Sequence, residues 1–272
     1  MEGHADTGIR LNVRREVRRM ADDPLARHLQ GAYPDADPGG ARQRYEEAYR
    51  LYFLAMQRAL EQVSTTVRFR KGPYYVLKYG GKYGPRQRKL AKKYWRMVPF
   101  LELDIVTCLL QTRILLDRTI ALSRRFLQGP QLPSFTSFAD HKKFFASGKG
   151  LCGHSSYAEY MIHSTSWFDV PIKFVRDKLL VHQGPRHFSY FVIPGWGAED
   201  DLVWSFHLQD EPPLVRPEKR SASPTVIRLN VLRLSFDVES FLRWFSKYGT
   251  KALGKHQLSL GYPPMAHTAS RS

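Results

Sequence analysis

The chain has 272 residues, 43% of them hydrophobic, with a formal net charge of +17 and a pI near 10. That length holds one large domain or a domain with appendages, and so large a positive excess points to nucleic acid or another polyanion as partner. Two cysteines, Cys108 and Cys152, exclude a disulfide framework and a Cys-rich zinc site, so a reducing cytoplasm is the expected compartment.

Residues 1–40 mix charges with Gly and Pro, and are expected to form a poorly ordered basic segment in which Arg10 to Arg19 is a basic patch able to form a short helix. No uninterrupted apolar h-region marks a secretory signal. No apolar run approaches ~18 residues without charges, so no membrane span and no membrane partner are expected. Ala41 to Val63 reads as a helix, with Tyr45, Ala48, Tyr49, Tyr52, Met56 and Leu60 at helical spacing.

The character changes from Val67 to Val98. The segment is rich in Lys and Arg, has no Asp or Glu, and interleaves Tyr74, Tyr75, Tyr79, Tyr83, Tyr94 and Trp95. Gly72-Pro73 and Gly80-Gly81 suggest that it begins as a loop or β-excursion and turns helical from Arg86. Arg86, Arg88, Lys89, Lys92, Lys93 and Arg96 are the candidate RNA-binding residues: cations hold phosphates while aromatic rings stack on bases. The alternative is a solvated basic loop.

Pro99 to Leu127 is the longest periodic segment. Phe100, Leu103, Val106, Leu110, Ile114, Ala121 and Leu122 make its apolar face, and further leucines and isoleucines widen it, so this helix is expected at the centre of a bundle. Cys108 lies within it and reads as core. Arg113 and Asp117 stand one turn apart; they read as an intrahelical ion pair or, with Asp104, as polar lining of a cleft. Gly129-Pro130 ends the run, and a short helix is expected from about Phe138.

Ser155 to Phe168 is read as helical. Asp169 then serves as an N-cap and Pro171 as a first-turn proline for a helix ending at His182, stopped by Gly184-Pro185. Alternating runs follow at Phe188, Tyr190, Val192 and at Leu202, Trp204, Phe206, with a third candidate strand over Val226 to Leu234. Asp237 to Tyr248 closes the fold as a short helix with Val238, Phe241, Leu242 and Phe245 on one side. Residues 251–272 read as a tail.

The run Trp167 to His182 carries the most specific chemistry. Cleavage of RNA by its own 2′-OH needs a base, a cation for the crowded phosphorane and an acid for the departing 5′-oxygen, and no metal. A histidine exchanges the proton near neutral pH, while an arginine grips two phosphate oxygens. Arg176 and His182 are about 240° apart on a regular helix, so they converge only if its last turn unwinds or if two copies face each other. Asp177 is placed to orient either one. The bland reading is an Arg and a His complementing a helix C-terminus.

The Trp-Phe and Arg-Asp-Lys-Leu-Leu-Val-His pattern resembles the signature of the HEPN (higher eukaryote and prokaryote nucleotide-binding) domains. The run Asp104 to Asp117 is similar to a preceding core helix of HEPN-like bacterial proteins, and Ser137 to Lys142 to the connector. The resemblance covers roughly Tyr45 to His182. It implies an all-α bundle, usually a homodimer with the motifs of both subunits lining one cleft. Many members are metal-independent endoribonucleases of toxin or antiviral systems, some with a neutralising antitoxin, and others keep the fold without activity. Arg176 and His182 match the active pair and Asp177 the polar neighbour.

The expected fold is therefore mainly α: a HEPN-like bundle of about four long helices over 41–185, with 67–98 as a basic aromatic insertion, then a small antiparallel β-element and closing helix over 186–250. RNA is the expected partner, and no metal or other cofactor is expected. Two alternatives stay open. One is a non-catalytic RNA-binding module on the same fold. The other is a thiol hydrolase resembling the transglutaminase and papain-like enzymes, with Cys152 at a helix N-terminus followed by His187 and Asp210.

Overall fold

The computed structural model describes residues 14–32, 40–123, 133–147, 156–169, 172–173, 188–196, 202–210 and 226–253. These residues are mainly helical. Helix α1 (14–20) and α2 (Ala26–Ala32) precede α3 (Ala41–Phe69), the longest element, which at 1.5 Å per residue runs about 43 Å. A π-helical turn (Arg70–Tyr74) leads into α4 (Tyr75–Lys78), and α5 (Pro85–Met97) is joined by a 3₁₀ turn to α6 (Leu101–Ala121). Beyond them come α7 (Phe138–Ala146), α8 (Ser156–Glu159) with π-helical and 3₁₀ turns to Phe168, and α9 (Val231–Leu253). No helix among the described residues is long and apolar enough to cross a membrane.

The core forms where α3 lies against α6 and receives α9. Tyr45, Tyr52, Met56 and Leu60 of α3 meet Ile105, Cys108, Leu109 and Leu116 of α6, all fully buried. Complete burial of a side chain of this size is worth about 2–3 kcal/mol relative to exposure. Cys108 sits among them with its thiol 3.7 Å from Met56 Sδ, and burial pushes its pKa up to about 12, so it behaves as a small core residue.

The buried stripe of α6 differs from the one that spacing suggested. Ile105, Cys108, Leu109, Leu115 and Leu116 face the core, whereas Phe100, Leu103 and Ile114 are exposed. A helix that is apolar around most of its circumference gives no single phase, and packing partners then choose the face. Asp104, beside that stripe, is tied to α3 by Arg58 and by Gln62 Nε2 at 2.8 Å.

Residues 14–32 correct the expectation of a poorly ordered segment over 1–40. Met20, Leu25 and Leu29 are fully buried. The tyrosine row of α3 supplies their polar anchors: Tyr45 Oη donates to Asp23 at 2.9 Å, and Tyr49 Oη lies 2.7 Å from the Met20 carbonyl. Three well-spaced apolar residues suffice when the neighbouring helix brings hydroxyls to the backbone.

Helix ends follow local chemistry. Ser137 caps α7 by accepting from Asp140 N at 3.1 Å, and Asn230 caps α9 by accepting from Arg233 N at 3.0 Å. The Asn230 cap is also why the strand read over Val226 to Leu234 stops at Leu229 and the closing helix begins at Val231, earlier than Asp237. Val238, Phe241, Leu242 and Phe245 are its buried face, as the spacing indicated. Strands β1 (Phe188–Trp196), β2 (Leu202–Asp210) and β3 (Val226–Leu229) pair antiparallel in the order β1-β2-β3, with Trp196 opposite Leu202 and Trp204 opposite Leu229.

Two buried titratable groups give the core an internal pH dependence. Glu239 of α9 is fully buried, 3.0 Å from Tyr49 Oη, with Glu16 nearby and Arg19 and Arg243 as the closest cations. The one hydroxyl proton of Tyr49 serves either the Met20 carbonyl or Glu239, and a proton on Glu239 supplies the other bond. Burial pushes the Glu239 carboxyl up to about 7. A folded-state pKa above the unfolded one makes the folded chain hold the proton more tightly, so this contribution is complete at acidic pH and is lost as pH rises through about 7. His141 works in the opposite sense: burial between Phe135, Phe145 and Tyr157 pulls it down to about 3, so protonating the unfolded chain below about 6.5 costs stability.

Thermal unfolding between pH 5 and pH 8 tests the first of these. Glu239→Gln should gain on the wild type as pH rises, by up to about 3 kcal/mol, and an offset independent of pH would contradict the assignment. His141→Phe should lose less stability than the wild type when the pH falls from 7 to 5.

Candidate nucleic-acid interface

The basic aromatic segment is not an excursion from the helical fold. Helix α3 continues through it to Phe69, with Val67 and Phe69 buried, and the chain stays helical past Gly72-Pro73 to Lys78, turning back only at Gly80-Gly81. Proline has no N–H to place in a helical ladder, and a π-helical turn absorbs it without a break in direction. Helix α4 then ends in a Schellman arrangement: Gly81 N donates to Val76 O at 2.8 Å and Gly80 N to Leu77 O at 3.1 Å. Gly80 adopts φ +72°, which a side chain would strain, and a Cβ on Gly81 would meet Val76 at 3.0 Å.

Pro85 opens α5 at the position where a missing N–H costs nothing, and Gln87 Oε1 accepts from Gly84 N at 2.9 Å. Helix α5 returns antiparallel to α3. Tyr94 stacks on Phe69 with centroids 3.9 Å apart and planes within 4°, Trp95 meets the Phe69 edge at 5.6 Å, and Gln62 Nε2 reaches Met97 O at 3.2 Å. Lys93 pairs with Glu61 across the joint. Ala91 is the buried residue of α5.

This anchoring decides where the charges go. Arg86, Arg88, Lys89, Lys92, Lys93 and Arg96 are all exposed. At 100° per residue they occupy one continuous arc of roughly 160°, facing away from Ala91 and Tyr94. No acidic residue stands between Val67 and Val98, while that span holds 11 Lys and Arg. Trp95 (59% exposed) flanks the arc at Arg88, and Tyr74, Tyr75 and Tyr79 are exposed on the adjoining turn and α4. Tyr75 and Tyr79 present parallel rings 6.2 Å apart, with Lys78 Nζ over Tyr79 at 5.8 Å. A cleft of about 220 Å³ lies between the two arms, lined by Thr66, Phe69, Arg70, Tyr74 and Tyr94. The segment thus combines a cationic ridge on α5 with exposed aromatic rings on α5 and the preceding helix, the two features that single-strand-binding surfaces combine.

The six cations proposed from sequence are thus brought together on one helix face. Arg176, Asp177 and His182 lie outside the described residues, as do Cys152 and His187. Asp210 closes β2. Arg113 and Asp117 do form the intrahelical ion pair, at 3.0 Å. Among the described residues no group of three or more His, Cys, Asp or Glu is arranged to hold a metal ion. Sequence reasoning missed Phe69 as the platform of the interface; it stands off the Tyr45–Val63 stripe, on the side of α3 that Gln62 shares, so the periodicity of that stripe carried no signal for it. No family model, no curated protein and no solved structure matches the chain.

Phe69→Ala removes the stack that seats α5 and should cost about 3 kcal/mol, measured by denaturant unfolding. Tyr79→Ala, at an exposed end, should change stability by less than about 0.5 kcal/mol. Similar losses for both would show that the joint is held elsewhere.

Proposed function

We propose that this protein binds RNA, with the α4–α5 hairpin as the gripping element. The observation that supports the reading is the cationic arc of α5, flanked by exposed Trp95 and preceded in the chain by exposed Tyr75 and Tyr79. Phosphates neutralised along such an arc release counterions, so affinity falls steeply with salt. Exposed rings accept any base by stacking, which suits single strands better than a base-paired groove. Specific readout of a duplex major groove would instead ask for Asn, Gln or Arg aimed at base edges from a helix lying in the groove.

The same proposal extends to cleavage through the Arg176, Asp177 and His182 run and its resemblance to the HEPN signature. In this reading, RNA recruited by α5 is cut without metal, with Arg176 on the phosphate, His182 as proton carrier and Asp177 orienting them.

Fluorescence anisotropy with a labelled single-stranded RNA over a salt series tests binding. The combined Arg88→Gln, Lys92→Gln, Arg96→Gln variant should lose more than about tenfold in affinity at low salt, and its slope of log affinity on log salt should become shallower by about 2. An unchanged slope would remove α5 from the interface. For cleavage, purified protein and its His182→Ala partner are incubated with RNA in EDTA. The reading requires 2′,3′-cyclic phosphate ends from the wild type alone, and intact RNA with both would leave binding as the function.

A further inference from the structure

A cleft of about 620 Å³ opens between α6, α7 and the turn that follows α8. Arg113 of α6 lines it and is almost wholly buried. Two contacts hold its guanidinium. Nε donates to Asp117 Oδ2 at 3.0 Å, and the central carbon sits 4.7 Å over the Phe168 ring. Asp117 is itself braced, its other oxygen accepting from Phe138 N at 2.7 Å. Yet Nη1 of Arg113 is buried with no hydrogen-bond partner. A buried guanidinium N–H left unsatisfied is costly, and native proteins tolerate few such groups.

The surroundings indicate what completes it. The N-terminal turn of α7, a helix of nine residues, forms part of the same wall through Ser137 and Ala139, placing the positive end of its dipole there. Lys143 and Lys173 line the cleft, exposed, and form no ion pair among the described residues. The carboxylates of the wall are already engaged: Asp117 by Arg113 and Phe138 N, Asp140 by the Ser137 hydroxyl at 2.6 Å, and Asp169 by Lys142. A fixed guanidinium edge, two lysines and a helix N-terminus supply donors from several sides. That matches the several oxygens of a phosphoryl group better than the two of a carboxylate.

We infer that this cleft is a binding site for a phosphoryl anion, with the Arg113 guanidinium, which lines the cleft, as its fixed charge and Lys143 and Lys173 closing on the oxygens. The ligand is a phosphate carried by a small molecule or by the 5′ end of a strand. The site is separate from the α4–α5 hairpin and does not depend on the RNA reading.

Inorganic phosphate is titrated into the full chain and followed by ³¹P nuclear magnetic resonance and thermal shift, with sodium chloride of equal ionic strength as reference. Saturable binding is expected. Lys143→Ala with Lys173→Ala, both at exposed positions, should weaken it about tenfold or more, as should Arg113→Lys, which keeps the charge and loses the planar guanidinium. The Arg88, Lys92 and Arg96 substitutions should leave phosphate binding unchanged, which separates this site from the hairpin. Competition by a 5′-phosphorylated oligonucleotide but not by its 5′-hydroxyl twin would assign the phosphate to a strand end. Competition by a mononucleotide and by neither oligonucleotide would assign it to a small molecule. Absence of saturable binding, or binding unaltered in both the lysine and the Arg113 variants, would overturn the site.

Discussion

One face of α3 organises the molecule. Its row of Tyr45, Tyr49, Tyr52, Met56, Leu60, Val63 and Val67 is buried along almost the whole helix, and the N-terminal helices, α6 and α9 dock on it. The tyrosine hydroxyls hold the N-terminal helices and Glu239 of α9, the aliphatic middle meets α6, and Phe69, off this row at the far end of the helix, seats α5. Apolar rings supply the area, and the phenol groups of Tyr45 and Tyr49 satisfy polar atoms that would otherwise be stranded. Because the helix is continuous from Ala41 to Phe69, the orientation of the cationic arc is set by the same rod that carries the core.

That continuity explains what the sequence disclosed and what it concealed. The Tyr45 to Leu60 periodicity and the Val238 to Phe245 face were legible because each alternates apolar with charged positions, giving one phase. The core role of Cys108 was legible for a similar reason, since it stands in an apolar run with no partner cysteine. The phase of α6 was not, because its leucines and isoleucines leave no polar side to read. Gly72-Pro73 looked like a break, yet a π-helical turn accommodates both residues. Met20, Leu25 and Leu29 were hidden by surrounding charge, since their anchors lie on another helix.

The site was legible in composition and obscure in geometry. A segment with 11 cations and no acid marks a candidate surface for a polyanion, but periodicity alone does not say that Ala91 and Tyr94 turn inward and the cations outward. Arg113 is the reverse case. Sequence predicted its ion pair with Asp117, whereas the unsatisfied Nη1 and the ring of Phe168 beneath it depend on packing between separate parts of the chain. The two features share a chemistry and differ in build. The α5 arc is an exposed, adaptable charge field, and the Arg113 cleft holds one cation rigidly.

The central claim is that RNA lies along α4 and α5. Ultraviolet cross-linking of bound single-stranded RNA, followed by peptide mapping of the attached nucleotides, addresses it directly, because stacked aromatic rings cross-link efficiently where they touch bases. The account predicts adducts concentrated at Tyr75, Tyr79 and Trp95. Adducts confined to another part of the chain, with these three residues unmodified, would contradict it.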